Sequence, residues 1–436
     1  MFSQLKSPAP RRVAFSGILL AAAAMPLFLA PHASAQPAPA TTPAEPPLTW
    51  VDPDTGHRIH RVSAEPNSTG FYFNINAFTP DKKNMIYTAP DGIHALDLAT
   101  SKTRLVVAGT NLKAIVVGHK TNTIFYTNLD EHAIYAANID TGQARKLAPL
   151  PPKASVSSIN ADETLAAGTF IEGDGKDYGA ERVNPPGMSG PLVQPVNKAQ
   201  MMQERLAAKL PMTLFTIDLQ TAKQTVLLEH DTNWINHLLF SPADPTLLMY
   251  CHEGPWQLVD RIWTIRTDAT HNELIHKRTM AMEIAGHEFW GIDGKTLWYD
   301  LQTPKGEDFF LASYDLATHE RRQYHMERNE WSIHFNVTAD ESLMCGDGGD
   351  PGQVAKAPDG QWIELFRPQL LQNSGLKDPA FVLPGVLKSE HLVNMSKHNY
   401  KLEPNVRFSP DNRQIFFTAN FFGPSYVFAV DVAKEK

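Results

Sequence analysis

Short runs of alternating hydrophobic and polar residues, typical of half-buried β-strands, follow one another along most of the chain. Pairs of these runs are joined by turns related to Ser/Thr-Pro/Ala-Asp. Proline presets the backbone angle of the first turn position and the aspartate side chain accepts hydrogen bonds within the turn, so each pair is predicted to be a β-hairpin. The turns lie at residues 78–81, 159–162, 240–243, 290–293, 337–340 and 408–411.

The spacing of these hairpins predicts a repeat fold. Further strands follow several of them, as in Ile93–Leu98 with Thr103–Val106, and a degenerate copy at 117–126 brings the repeats to about seven. Four-strand units that recur every ~40 to 50 residues are typical of propeller blades. We therefore predict an all-β, seven-bladed β-propeller over residues 49–436. The strand at 57–62 is expected to complete the last blade and close the ring.

One segment interrupts the repeat in the third blade. Residues 171–212 contain glycine and proline clusters and then a stripe at Met201, Met202, Leu206 and Leu210, which has helical spacing. We predict one helical insertion there. It is either a surface cap over the blade edges or a lid over the mouth of the central channel.

The N-terminus has the pattern of a signal peptide. Lys6, Arg11 and Arg12 precede an apolar run at 13–29, and Ala33-Ser34-Ala35 follows. The run is short of the ~20 residues that cross a bilayer comfortably, so a retained membrane anchor is disfavoured. We predict a signal peptide at 1–35, a Pro/Ala-rich linker at 36–48, and an exported chain, periplasmic or secreted, without stable membrane insertion after signal removal.

The net charge and the cysteine content limit which partners and which bonds are expected. The formal net charge is −8 and becomes more negative once the three leader cations are removed, so nucleic acid is not an expected partner. Both cysteines, Cys251 and Cys345, lie in apolar strand-like runs, which leaves buried thiols and a disulfide both open.

Four polar residues share one position of the repeat. His237, His287, His334 and Asn405 each lie three residues before the last residue of the first strand in their blade. Because equivalent positions of successive blades lie at one height around the axis, these side chains are expected to converge. Glu403 lies two residues before Asn405, and strand alternation directs it to the same side. Imidazoles with a carboxylate and an amide suit a divalent metal or proton transfer.

Two further residues follow in the fourth blade. His252 comes at the end of a strand, and we assign it to substrate binding together with His237. The planar guanidinium of Arg261 suits a uronate carboxylate, although an ion pair with Asp260 is an alternative. No G-x-S-x-G elbow and no H-E-x-x-H helix accompany them, and the acidic turn after Cys345 does not match a calcium loop.

At these residues the chain resembles the oligogalacturonate lyase family. The likeness runs from about Thr49 to the C-terminus and is carried by Cys-His-Glu-Gly-Pro at 251–255, Asp-Arg at 260–261, Gly-His-Glu-Phe-Trp at 286–290, Gly-Asp-Gly at 346–348 and Pro-x-x-x-Phe-x-Pro-Asp at 404–411. The resemblance implies a seven-bladed propeller, a manganese-type divalent site and β-elimination from short galacturonate oligomers.

The resemblance also implies roles. His287 matches the proton-abstracting histidine of the family, Arg261 its catalytic arginine after a one-residue gap, and His334 a metal-binding histidine. The other family ligands, a glutamine and a histidine pair, fall on Tyr400, Glu403 and Asn405. We expect His334, Glu403 and Asn405 to hold the metal, with His398 as the substitute for Tyr400. This oxygen-rich set favours manganese, calcium or magnesium.

These observations predict an enzyme that cleaves short uronate oligosaccharides by metal-assisted β-elimination, with an acidic oligosaccharide as its partner. The alternatives are a non-catalytic periplasmic propeller that binds a protein or cell-wall fragment, and a metal-dependent glycan hydrolase on the same scaffold. The sequence leaves open the sugar, its length, the metal and the oligomeric state.

Overall fold

The computed structural model describes residues 46–173, 198–371, 375, 378 and 380–434. Within them the strands form six sheets, one of which has eight strands in two four-stranded halves. With those halves taken as two blades, the described chain has seven blades, in agreement with the predicted propeller.

The first half of the chain forms the N-terminal strands and blades one to three. The strands are β1 (Thr49–Val51), β2 (Arg58–Arg61), β3 (Asn84–Ala89), β4 (Gly92–Asp97), β5 (Thr103–Ala108), β6 (Leu112–Val117), β7 (Thr123–Asn128), β8 (Ala133–Asn138), β9 (Ala144–Pro149), β10 (Ser155–Ile159), β11 (Leu165–Ile171), β12 (Met212–Asp218) and β13 (Gln224–Asp231). The helix α1 (Lys198–Ala208) lies between β11 and β12, which confirms the helical insertion in blade three.

The second half forms blades four to seven. The strands are β14 (Trp234–Phe240), β15 (Leu247–Glu253), β16 (Ile262–Arg266), β17 (Glu273–Leu274), β18 (Ile284–Trp290), β19 (Thr296–Gln302), β20 (Phe309–Asp315), β21 (Arg321–Met326), β22 (Phe335–Val337), β23 (Met344–Gly346), β24 (Trp362–Leu370), β25 (Val382–Asn394), β26 (Arg407–Phe408), β27 (Gln414–Ala419) and β28 (Tyr426–Asp431). Short 3-10 helices lie between β15 and β16 at Trp256–Leu258 and between β21 and β22 at Arg328–Glu330.

The recurring turn motif has a direct structural basis. In three blades the first Ser or Thr donates its hydroxyl to the aspartate two residues later: Thr79 to Asp81 at 2.6 Å, Thr338 to Asp340 at 2.7 Å and Ser409 to Asp411 at 2.6 Å. The hydroxyl and carboxylate thus satisfy each other within the turn, which fixes the hairpin that joins the two innermost strands.

The ring closes through the N-terminal strands. Strand β2 pairs antiparallel with β28, with Ile59 opposite Val430, so the last blade contains strands from both ends of the described chain. This confirms the prediction for residues 57–62. Blades five and six are joined in another way, because the long strand β25 pairs in parallel with β21, with Arg321 opposite Val382. Nothing in the repeat pattern predicted this second junction.

Buried side chains pack between neighbouring blades, and the two cysteines belong to this core. Cys251 and Cys345 are both buried and free, so the alternative of two buried thiols is the one observed. No helix in the described part of the chain is long and apolar enough to cross a membrane. The predicted signal peptide and nearly all of the linker lie outside the described residues and stay predictions.

Blade one lacks a regular innermost strand. Only isolated bridges, Thr69 with Thr88 and Phe78 with Met85, mark its place. Between them residues 70–76 leave the sheet and enter the central channel, where they contact five other blades. We call residues 70–76 the crossing segment. A cavity of about 440 Å³ lies beside it, lined by its residues 73–76 and by turn residues such as Pro80, Pro242 and Pro410.

Candidate functional site

Three of the four aligned polar residues share an unusual backbone conformation. His237, His287 and Asn405 all have left-handed φ values of 49°, 48° and 58°. The strand register shifts around His237 and around His287, as in a β-bulge. A bulge re-aims its side chain, and histidine and asparagine tolerate this conformation better than most residues. The shared sequence position therefore reflects a shared backbone geometry.

His334 reaches the site without this irregularity. It lies just before β22 and is fully buried, and Asp347 fixes it: the backbone N–H of His334 donates to Oδ1 at 2.8 Å, and Nδ1 lies 2.8 Å from Oδ2. Because a carboxylate on Nδ1 stabilises the tautomer protonated there, Nε2 is left as an acceptor.

The free nitrogen of His334 faces the centre of the site. Nε2 is buried without a hydrogen-bond partner among the described residues, and Oε2 of Glu403 lies 3.7 Å from it. The ring stacks on Phe73 with centroids 4.5 Å apart. The structure thus brings together two of the three predicted metal ligands, His334 and Glu403.

Asn405 reaches the same place but its side-chain amide is already paired. Its Oδ1 accepts the backbone N–H of Phe73 at 3.0 Å, and its Nδ2 donates to the carbonyl of Glu403 at 2.9 Å. Its backbone N–H donates to Oδ2 of Asp347 at 3.1 Å. Its observed contacts therefore anchor the crossing segment, and its role as a metal ligand stays a prediction.

The side chains of Tyr400 and His398 form hydrogen bonds with backbone groups. The Tyr400 hydroxyl donates to the carbonyl of Asp347 at 3.0 Å. His398 uses both ring nitrogens, with Nε2 2.7 Å from the carbonyl of Leu402 and Nδ1 accepting the N–H of Asn420 at 3.3 Å. This geometry does not support the substitution of His398 for a missing ligand.

Arg261 is buried against two carboxylates. Its guanidinium pairs with Glu253 and lies 3.5 Å from Oε1 of Glu288, and it stacks on Trp256 at 4.4 Å from the ring centroid. Burial alone would raise the pKa of Glu253, but Arg261 and His237 outweigh that effect and hold it well below its ordinary value. The predicted alternative partner, Asp260, pairs instead with Arg278 at 2.8 Å.

His237 joins the same charged group. Its Nε2 lies 3.4 Å from Oε2 of Glu253 and its Nδ1 lies 3.9 Å from Oε1 of Glu288. Its ring also contacts Tyr72 of the crossing segment, with centroids 6.1 Å apart. His237 therefore lies between the buried arginine and the centre of the channel.

His287 lies between these two groups. Its ring contacts Trp256 and His334, with centroids 4.8 Å and 5.0 Å away, and its Nδ1 has no hydrogen-bond partner among the described residues. Burial lowers the pKa of His287 well below its ordinary value, and the nearby guanidinium of Arg261 lowers it further. A neutral imidazole with an unpaired nitrogen is suited to accept a proton.

Gly286 makes room for Trp256 beside this histidine. A Cβ on residue 286 would lie 2.7 Å from the Cε3 atom of Trp256, closer than carbon atoms normally approach. The indole can therefore lie against both His287 and Arg261 only because residue 286 has no side chain.

His252 is placed apart from this group. Alternation along β15 directs Cys251 and Glu253 to one face and His252 to the other. There Nε2 of His252 lies 3.3 Å from Oδ2 of Asp231, and the ring packs on Trp263 with centroids 5.0 Å apart. The predicted substrate-binding role of His252 stays a prediction, without support from this placement.

Comparison with known proteins identifies the chain. The family model described as oligogalacturonate lyase matches residues 49–435. The chain belongs to the oligogalacturonate lyase family. The lyase is 24% identical to the oligogalacturonate lyase of Dickeya dadantii (strain 3937) over 402 residues, which cover 88% of this chain and 95% of that relative. It is 28% identical to the oligogalacturonide lyase of Pectobacterium atrosepticum over 230 residues, which cover 50% of this chain and 55% of that relative.

Solved structures have the same fold as this lyase. One, described as an oligogalacturonate lyase in complex with manganese, gives a TM-score of 0.70 at 23% identity and covers 88% of this chain and 96% of its own. Another, an oligogalacturonate lyase from Vibrio parahaemolyticus, gives 0.68 at 20% identity with the same coverage. These likenesses confirm the propeller fold.

Two clusters of side chains in this lyase contain atoms that could bind a divalent cation. Among the described residues, the ligand atoms of His237, Cys251 and Glu253 lie within 4.8 Å of one another. Arg261 contacts both Cys251 and Glu253, so its buried positive charge opposes a cation there. His334 with Glu403 fits better, because His334 is oriented by a carboxylate and its free nitrogen points toward a second carboxylate.

Three residues of the site escaped sequence reasoning. Asp347 was assigned only to a turn, although its Gly-Asp-Gly motif was noted, and Glu288 was recognised only as part of a motif. Tyr72 carried no signal, because it lies in the blade whose inner strand is missing. Burial raises the pKa of the Tyr72 hydroxyl well above its ordinary value, and the carboxylates of Glu403 and Glu288 add to this effect.

Proposed function

We propose that this lyase cleaves short galacturonate oligomers by metal-assisted β-elimination. The observation that carries the proposal is the pair of adjacent histidines at the axis. His334 is held by Asp347 with Nε2 unpaired, and the ring of His287 lies 5.0 Å away with a strongly lowered pKa. One imidazole is thus arranged as a metal ligand and the other as a base.

His334 and Glu403 are the residues that would hold the cation. When bound, a divalent cation would neutralise the C6 carboxylate of the sugar and so make the neighbouring C5 proton more acidic. An imidazole with a carboxylate suits manganese better than magnesium or calcium, which prefer all-oxygen sites. The structural relative in complex with manganese supports the same choice.

His287 would take the C5 proton. Its neutral form is favoured by burial and by the nearby charge of Arg261, so it is available as a base near neutral pH. Trp256 contacts its ring and limits how far the imidazole can rotate. A fixed base next to the sugar carboxylate has the placement that abstraction requires.

Arg261 would act on His287 through its charge and through Trp256. Its guanidinium stacks on the indole and is one of the charges that lower the pKa of His287. Direct contact with the uronate carboxylate, as the resemblance implies, would require competition with Glu253 and Glu288. We propose the electrostatic role for this arginine.

We also propose that the lyase works outside the cytoplasm. The basic residues, apolar run and small-residue site at 1–35 support export, and acidic oligosaccharides from plant material would be met there.

One experiment tests the reaction. The mature chain, freed of bound metal with a chelator, is incubated with galacturonate oligomers of defined length with and without added Mn²⁺, and products are followed by ultraviolet absorbance and by reducing-end assay. Elimination creates a conjugated double bond together with each new reducing end. The His334→Ala and Glu403→Gln variants should lose the metal response, whereas the control His391→Ala, on the outer strand of blade six, should keep it.

Two outcomes would overturn the proposal. New reducing ends without ultraviolet absorbance would indicate a hydrolase. Binding of oligomers without any product would indicate a non-catalytic propeller.

A further inference from the structure

The crossing segment brings a tyrosine into the centre of the site. Tyr72 lies in the place where blade one lacks its innermost strand, and its ring contacts His334 of blade six at 5.0 Å and His237 of blade four at 6.1 Å between centroids. Tyr72 therefore lies between the proposed metal ligand His334 and the buried charged group around Arg261.

Buried side chains hold the crossing segment firmly. The fully buried guanidinium of Arg407 donates to the carbonyls of Phe71, Tyr72 and Ile75. From other blades, Asn405 accepts the N–H of Phe73 at 3.0 Å, and Asn74 donates to the carbonyl of Glu288 at 3.1 Å. Irregular backbone inside a channel would otherwise leave polar groups unpaired, so this bonding fixes the position of Tyr72.

The hydroxyl of Tyr72 is available for a ligand. Tyr72 is half-buried, its ring contacts Phe73 and His334, and its phenol oxygen forms no hydrogen bond with the residues that the structure describes. Other tyrosines of the propeller use theirs: Tyr400 donates to Asp347, Tyr87 to Glu65 and Tyr250 to Asn272. Because Tyr72 is firmly held but only half-buried, its hydroxyl remains accessible from the site and is free to donate to a substrate.

We propose that Tyr72 is the proton donor to the departing C4 oxygen, an assignment that rests on the proposed β-elimination. His287 takes the C5 proton, the C5–H electron pair forms the C4=C5 double bond, and the C4–O4 bond breaks with its pair moving to O4. The Tyr72 hydroxyl gives its proton to O4, and solvent restores it after the product leaves.

The placement of the two residues fits the stereochemistry of galacturonate. The C5 hydrogen and the C4 oxygen project from opposite faces of its ring, so base and acid must approach from different sides. The rings of His287 and Tyr72 each meet His334 edge to face, at 71° and 80°, and no ring contact joins them to each other within the described residues. The reaction therefore requires an acid separate from His287, and Tyr72 is a separate group beside the same metal ligand.

The test compares two leaving groups in the Tyr72→Phe variant. The natural substrate is a galacturonate oligomer, whose departing oxygen needs a proton. The second is a galacturonate with fluoride at C4, which departs as an anion without one, and both leave the same conjugated double bond. We expect Tyr72→Phe to lose about 10²- to 10⁴-fold in kcat on the oligomer and less than about threefold on the fluoride substrate.

Tyr87→Phe is the matched control, because it removes one hydroxyl from blade one away from the channel. It should keep wild-type rates on both substrates. The ratio of the two rates within one preparation does not depend on the fraction folded, so partial misfolding cannot imitate the result. Equal losses on both substrates, or unchanged turnover of the oligomer, would overturn the assignment. A wild-type chain that forms no conjugated product would instead overturn the proposed function and this assignment with it.

Discussion

Oδ2 of Asp347 lies 2.8 Å from Nδ1 of His334, and both residues are completely buried. The same oxygen accepts the backbone N–H of Asn405 from the next blade at 3.1 Å. One carboxylate thus sets the tautomer of the proposed metal ligand and holds the backbone just after Glu403. Asp347 therefore connects the metal ligand of blade six with the backbone of blade seven.

Asp347→Asn should weaken metal binding. An amide can present a donor to Nδ1 in place of the carboxylate, so the imidazole loses the partner that fixes its tautomer and raises its basicity. We expect manganese affinity, measured by titration calorimetry, to fall about 10- to 100-fold. Asp350→Asn, in the same loop, is the control and should bind as the wild type. Equal affinity in the two variants would remove Asp347 from the site.

His287→Ala should retain metal and fold while losing about 10²- to 10⁴-fold in kcat, the usual contribution of a positioned base. The pKa of His287 is lowered by burial and by the charge of Arg261. The wild-type rate should therefore rise with pH through a pKa below the ordinary histidine value and then level off, and this limb should vanish in the variant.

The control for this variant is His319→Ala, which removes an exposed histidine paired with Tyr314. It should leave both the rate and the pH profile unchanged. Near-normal turnover by His287→Ala would exclude it as the base. Loss of metal in that variant would place His287 among the ligands instead.

The sequence predicted the propeller because its information is local and repeated. The hydroxyl-to-aspartate bond of the turns and the strand alternation recur in each blade, so one hairpin explains many. The junction of β21 with β25 was not predicted, because it joins two blades. It depends on how far the hairpin of β24 and β25 extends toward β21. Such a pairing leaves no periodic signal.

The candidate site was predicted in part for the same reason. His237, His287 and Asn405 share a left-handed bulge, so their alignment in sequence reflects a common geometry. The pairing of the Asn405 amide depends on a segment more than 300 residues away, as its bond to Phe73 spans 332 positions. Tyr72 was missed because blade one departs from the repeat at that point.

Lys198→Ala should raise the KM for acidic oligomers with little change in kcat. Lys198 begins helix α1, and its charge contributes to the lowered pKa of His287, so the start of the helix lies within electrostatic range of the site. A lid at this position would use the charge to attract acidic oligomers. Because an exposed ion pair contributes ~0.2–1 kcal/mol, we expect a rise in KM of about 1.4- to fivefold by steady-state kinetics.

The control is Lys209→Ala at the other end of the same helix, which should leave KM unchanged. Similar values of KM for the two variants and the wild type would return the insertion to the role of a surface cap.

Asp300→Asn should remove a pH dependence of stability. Asp300 is fully buried between the side chains of Trp331 and Gln302, and burial raises its pKa to about 7. The folded protein therefore holds this proton more tightly than the unfolded chain, whose aspartates titrate near ~3.9. Between these two values the unfolded chain binds fewer protons, so the free energy of unfolding falls as pH rises, and it levels off above about pH 7.

The asparagine stays neutral throughout this range and can still accept the hydrogen bond of Trp331. Measured by urea unfolding, the stability of Asp300→Asn relative to the wild type should improve by up to ~1.4 kcal/mol for each pH unit between about 5 and 7. Asp308→Asn, an exposed change in the following hairpin, should follow the wild-type curve. A constant difference between Asp300→Asn and the wild type across this range would mean that Asp300 is already ionised in the folded propeller, with its charge stabilised by the indole and amide N–H groups of Trp331 and Gln302.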